Sequence, residues 1–90
     1  MGMVTFDIAE GNPGALAFIG EAYMKGGNHF KAEVGFARMR DNGITGCKLY
    51  MLWNDCCDRD TDKAVEIMCD KDIKEIVEHI NYENGRGILF

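Results

Sequence analysis

From residue 12 onward the apolar positions recur mostly three and four residues apart, the spacing that gathers them on one side of an α-helix. Asn12-Pro13 opens the first helix, because Asn accepts hydrogen bonds from free first-turn amides and Pro at the first helical position forfeits none. Leu16, Ile19, Tyr23 and Met24 mark its apolar face, and Gly26-Gly27 ends it. Asn28 caps a second helix with a buried stripe of Phe30, Val34, Ala37 and Met39. Asn42-Gly43 is its left-handed stop, and Ile44 packs back onto the helix end.

Thr45 caps a third element in which Leu49, Leu52, Trp53 and Cys56 fall at i, i+3, i+4 and i+7. Tyr50 and Met51 fill another face, which makes this the most buried element. A short strand over 49–53 is the rival reading, since so short an apolar run does not decide its own period. Asp60 or Thr61 caps a helix through Ala64, Val65, Ile67 and Met68, and Asp70 caps a last one. In that last helix Ile73, Ile76, Val77 and Ile80 form one stripe, Lys71, Lys74, Glu75 and Glu78 cover the rest, and Asn84-Gly85 ends it. Residues 1–11 alternate weakly at Val4, Phe6 and Ile8 and read as a short strand, a helical turn or an N-terminal arm; residues 86–90 read as an apolar tail. The fold class expected is all-α, a small orthogonal bundle of about five short helices forming a single helical domain over 1–90.

A chain of 90 residues encloses one modest core, and nine aromatic side chains (five Phe, three Tyr, one Trp) suffice to close it without a cofactor, so none is expected. The formal net charge of -5 repels phosphate backbones and anionic lipid at long range, which disfavours nucleic-acid binding and a membrane surface. No apolar run approaches the roughly 20 residues that span a bilayer, and no basic stretch followed by an apolar one opens the sequence. A cytoplasmic location with reduced thiols at Cys47, Cys56, Cys57 and Cys69 follows as the expectation.

Asp58, Asp60 and Asp62 match the first three ligand positions of a calcium loop, and Glu66 the ninth, but Lys63 stands where a glycine is needed and Cys69 where a bidentate Glu is needed. Capping of the following helix accounts for these acids. The cysteines with His79 offer zinc-type ligands without zinc spacing, and small buried apolar thiols are the simpler reading. His29 and His79 are the only imidazoles available to activate a thiol, and neither is placed beside one by sequence, so no enzyme activity is expected. Gly11-Asn12-Pro13-Gly14 lacks the lysine of a phosphate loop and reads as a cap and turn. The stretch from Phe30 to Cys56 has a helix-turn-helix outline, for which Lys31, Arg38, Arg40 and Lys48 are the nucleic-acid candidates. Its second helix is too apolar to read base edges, and a solvated basic face is the plainer account.

The segments Gly11-Asn12-Pro13-Gly14-Ala15, Asp41-Asn42-Gly43-Ile44-Thr45-Gly46 and Leu49-Tyr50-Met51-Leu52-Trp53-Asn54-Asp55-Cys56 resemble those of short uncharacterised proteins from phages and mobile elements of anaerobic gut bacteria. The resemblance brings no activity or catalytic residue with it and implies an accessory or regulatory role. The leading expectation is a non-enzymatic protein-interaction domain that meets a protein partner or a second copy through Tyr23, Met24, Ile88, Leu89 and Phe90. A regulatory nucleic-acid-binding domain comes next, and a metal-binding module at the three aspartates or the thiols last.

Overall fold

A computed structural model describes residues 7–25 and 29–88, with the side chains of 84–88 excepted. Val4, Phe6, Gly26-Gly27, Asn28, Leu89, Phe90 and the side chain of Ile88 therefore lie outside the described residues. From Pro13 onward five α-helices follow one another among the described residues: α1 (Pro13–Met24), α2 (His29–Asp41), α3 (Cys47–Met51), α4 (Thr61–Asp70) and α5 (Ile73–Ile88). α3 runs directly into a π-helical turn (Leu52–Cys56), so 46–57 is helical and the strand reading falls. No strand occurs among the described residues, and the domain is a small all-α bundle.

Local chemistry sets most of the helix ends. Asn12 Oδ1 accepts from the Ala15 N–H at 3.0 Å, which starts α1, and Asp60 Oδ1 accepts from Lys63 N–H at 3.1 Å, which starts α4. α2 stops as expected at Asn42-Gly43. The Gly43 N–H returns to the Arg40 carbonyl at 3.0 Å and the Ile44 N–H to the Met39 carbonyl at 2.9 Å, satisfying carbonyls of the last turn. Ile44 then drops into the core. α3 is capped differently from the expectation: the cap position is Gly46, at φ 54° and ψ -122°, a conformation that side chains disfavour. Thr45 instead uses its hydroxyl to donate to Glu10 Oε1 at 2.6 Å, and the Gly46 N–H donates to the Ile8 carbonyl at 2.9 Å.

That pair of bonds fixes the beginning of the described chain. Ile8 and Ala9 are buried, so the segment 8–11 is part of the domain and not a loose arm. Two further corrections concern α5. Its first intrahelical bond runs from Ile76 N–H to the Asp72 carbonyl, whereas Asp70 is the last residue of α4. It also continues past Asn84-Gly85 to Ile88, because a glycine inside a helix costs only about 1 kcal/mol and no proline blocks the next turn.

The core is centred on three rings. Phe18 of α1 stacks on Trp53 of the π turn (centroids 5.3 Å, planes 11° apart) and meets Phe36 of α2 edge-on at 5.1 Å. Around them lie Ile19, Met39, Leu49, Leu52, Met68, Ile76 and Ile80, all within 1% of complete burial. The stripe of α1 is thus Ala15, Phe18, Ile19 and Ala22, while Leu16 and Met24 face outward and Tyr23 lies half-buried at its edge. α2 is turned further from the expected orientation. Its buried residues are Ala32, Gly35, Phe36 and Met39, and Phe30 and Val34 are exposed.

Small residues decide these orientations. A Cβ on Gly35 would lie 3.1 Å from Met68 Cβ and 3.2 Å from Cys69 Sγ, so α4 packs against bare backbone there, and α2 against α4 is the most extensive helix contact in the domain. Gly14 does the same for α3, since a Cβ there would fall 2.6 Å from Tyr50 Cγ and 2.8 Å from Cε1. Replacing a helical glycine by alanine ordinarily stabilises by about 0.5–1 kcal/mol, but here the Tyr50 ring has to move, and overpacking of this kind costs about 1–3 kcal/mol. Urea unfolding of Gly14→Ala is expected to show a net loss, and the same change in a Tyr50→Ala background to be neutral or stabilising. A gain in both backgrounds would refute the close approach.

Candidate functional site

Among the described residues five large apolar side chains are exposed: Leu16, Met24, Phe30, Val34 and Tyr82. Four of them stand on α1 and α2, with Met24 (83% exposed) at the end of one helix and Phe30 (76%) at the start of the next. Leaving Phe30 in water forgoes about 2–3 kcal/mol of burial, a cost without return among the described residues. Of the interaction residues expected from sequence, Met24 belongs to this surface. Tyr23 is the inner neighbour, its ring 6.3 Å from Phe36 and 6.1 Å from His29. Phe30 and Val34 were missed as surface residues because an apolar pair at i, i+4 reads as core whichever side it faces.

The basic residues do not assemble into one face. Arg38 Nη1 donates to the Met68 carbonyl at 2.8 Å, and Lys31 lies 4.0 Å from Asp70, so both reach across to α4. Arg40 is on the other flank of α2, paired through Nη2 with Asp41 Oδ1 at 2.8 Å, and Lys48 is exposed on α3. Leu49, Leu52 and Trp53, which a recognition helix would turn toward bases, are buried.

The loop over 57–60 that follows the π turn carries two of the three non-glycine residues with positive φ among the described residues. The turn is closed by the Arg59 N–H donating to the Trp53 carbonyl at 2.7 Å, and Asp58 and Arg59 both adopt positive φ (51° and 61°). Each such residue costs about 1–3 kcal/mol. Arg59 offsets part of that by lying over the Trp53 ring (5.2 Å to the centroid) while Nε donates to Asn54 Oδ1 at 2.8 Å. Trp53 Nε1 donates to Thr61 Oγ1 at 3.1 Å, which ties the turn to the start of α4. The segment that looked like a calcium loop is residues 58–60 and the helix α4 that follows them. Asp60 is occupied as the cap of α4, and no group of three His, Cys, Asp or Glu side chains with metal-binding geometry occurs among the described residues.

The four cysteines are free, and Cys56 and Cys57 are neighbours in the chain. Cys47 is exposed, Cys57 is buried, and Cys69 directs its thiol to the Lys31 carbonyl at 3.2 Å. Cys56 meets the backbone carbonyl of His79 at 3.9 Å and not its imidazole. Burial, reinforced by Cys57, Glu83 and Asp55, pushes the Cys56 thiol up to about 11, and burial likewise raises Cys57 and Cys69. Thiols held protonated in this way are poor nucleophiles at neutral pH.

α4 and α5 are joined by two residues, and both pack on the π turn more than on each other. Between them opens a groove of about 400 Å³ with an aliphatic floor of Leu52, Ile67 and Ile76 and a rim of Lys63, Lys71, Glu66, Glu75 and His79. Cations and carboxylates balance on that rim, so it has no preference for a charged partner of either sign.

No family model matches the chain, and no curated protein or solved structure matches it.

A thiol whose folded value is raised keeps its proton when the unfolded chain has lost it, so stability falls as pH climbs from the ordinary value of 9.0 toward about 11. The stability of the native chain relative to Cys56→Ala is expected to be constant below pH 8 and to decline across that window when followed by urea unfolding. An advantage that grows with pH would contradict the burial of this thiol.

Proposed function

We propose that this chain is a non-enzymatic protein-interaction domain whose contact surface is the outer side of α1 and α2. The observation that carries the reading is the segregation of exposed apolar bulk: Leu16, Met24, Phe30 and Val34 stand on these two helices, and Tyr82 stands apart on α5. Apolar surface concentrated on one region of a small domain is what protein partners cover, and aromatic and methionine side chains are enriched in such contacts. The cysteines support a non-catalytic role, since burial keeps three of them protonated, and the thiols of Cys56 and Cys69 meet backbone carbonyls. An accessory part in a larger assembly fits the same features.

The test is in-cell photo-crosslinking with a photoreactive residue placed at position 30, 34 or 74. Positions 30 and 34 are expected to give discrete protein adducts, and Lys74, exposed on α5, to give none. Equal adduct yields from all three positions, or none from 30 and 34, would overturn the reading.

A further inference from the structure

The buried residues of α2, at 32, 35, 36 and 39, define its inner side. At about 100° per residue the opposite side carries Phe30, Val34, Ala37 and Asp41, spaced four, three and four apart. That is the seam of two helices packed side by side. Glu33 and Arg40, seven residues apart, share one flank of the seam, and Lys31 and Arg38 share the other.

We infer that this seam pairs with the same seam of a second copy of the chain, antiparallel, about a two-fold axis near Val34 and Ala37. The inference rests on the interaction reading above and names its partner. In an antiparallel pair like flanks face each other, so Glu33 meets Arg40 of the second copy and the reciprocal contact forms at the other end. Size is complementary as well, with Val34 set against Ala37 of the second copy and Phe30 reaching the end of its helix beside Arg40. A parallel pair would leave Arg40 without Glu33 and would call on Arg38, whose bond to the Met68 carbonyl is half-buried and ties α2 to α4, whereas the bond of Arg40 to its neighbour Asp41 is exposed. Lys31 and Arg38, the like charges that meet on the second flank, are both drawn toward α4 through Asp70 and Met68. A thirteen-residue helix covers much less than the roughly 800 Å² per partner of a standard interface, so the pairing is reversible and depends on concentration.

Sedimentation equilibrium up to about 1 mM, the weak end of the affinity scale, tests this on the native chain, Phe30→Asp, Glu33→Arg and the swap Glu33→Arg with Arg40→Glu. The native chain is expected to reach a dimer, the two single variants to remain monomeric while melting as the native chain does, and the swap to restore the dimer. A dimer lost in Phe30→Asp but indifferent to the swap overturns the antiparallel arrangement. A native chain that stays monomeric overturns the second copy as partner, and crosslinks from 30 and 34 to other proteins would then show that the interaction reading survives without it.

Discussion

The stack of Phe18 on Trp53 is the contact on which the rest of the domain depends. Trp53 belongs to a π-helical turn, and three devices hold that turn in a conformation its backbone would not otherwise keep: the Arg59 guanidinium over the ring, the indole bond to Thr61, and the Arg59 amide on the Trp53 carbonyl. Phe18 then settles α1, Phe36 settles α2 against Phe18, and Thr61 settles the start of α4. Helices this short are marginal on their own, so their positions come from one shared aromatic centre and not from propensity.

Much of this was legible in the sequence. Asn12-Pro13, Asp60 and Asn42-Gly43-Ile44 act where their chemistry says they should, because caps and left-handed stops involve neighbours a few residues apart. The stripe of Ile76 and Ile80, half-shared by Ile73 and Val77, also emerged as read, since α5 has only one apolar side. α2 has two. Phe30, Val34 and Ala37 form one apolar side and Ala32, Phe36 and Met39 the other, and periodicity weighs bulk. Gly35 and Ala32 decided the matter by what they lack, which lets Met68 approach the backbone. The π turn was invisible for a related reason: it is held by Arg59, six residues beyond Trp53, a spacing that neither the helical nor the strand period marks.

The same two-sidedness connects fold to function. A helix that spends its small residues on internal packing leaves bulkier ones outside, and α2 puts an aromatic and a β-branched side chain into water next to the exposed end of α1. The groove beside α5 is concave, but its balanced rim and aliphatic floor give no chemical bias comparable to the self-complementary charges of Glu33 and Arg40. Chemistry at the thiols or at Asp58, Asp60 and Asp62 has no comparable support, because Asp60 is engaged in capping, three of the thiols are held protonated by burial, and no metal-binding group of side chains forms among the described residues.

The central claim is that α2 buries Phe36 and shows Phe30. Urea unfolding followed by the fluorescence of Trp53, the single tryptophan, measures it directly in Phe36→Ala and Phe30→Ala. The account predicts a loss of about 3–5 kcal/mol for Phe36→Ala, the cost of emptying a packed aromatic site, and a change within about 0.5 kcal/mol for Phe30→Ala at low protein concentration. Equal losses, or the larger loss at Phe30, would mean that α2 faces the other way and would remove both the core and the contact surface described here.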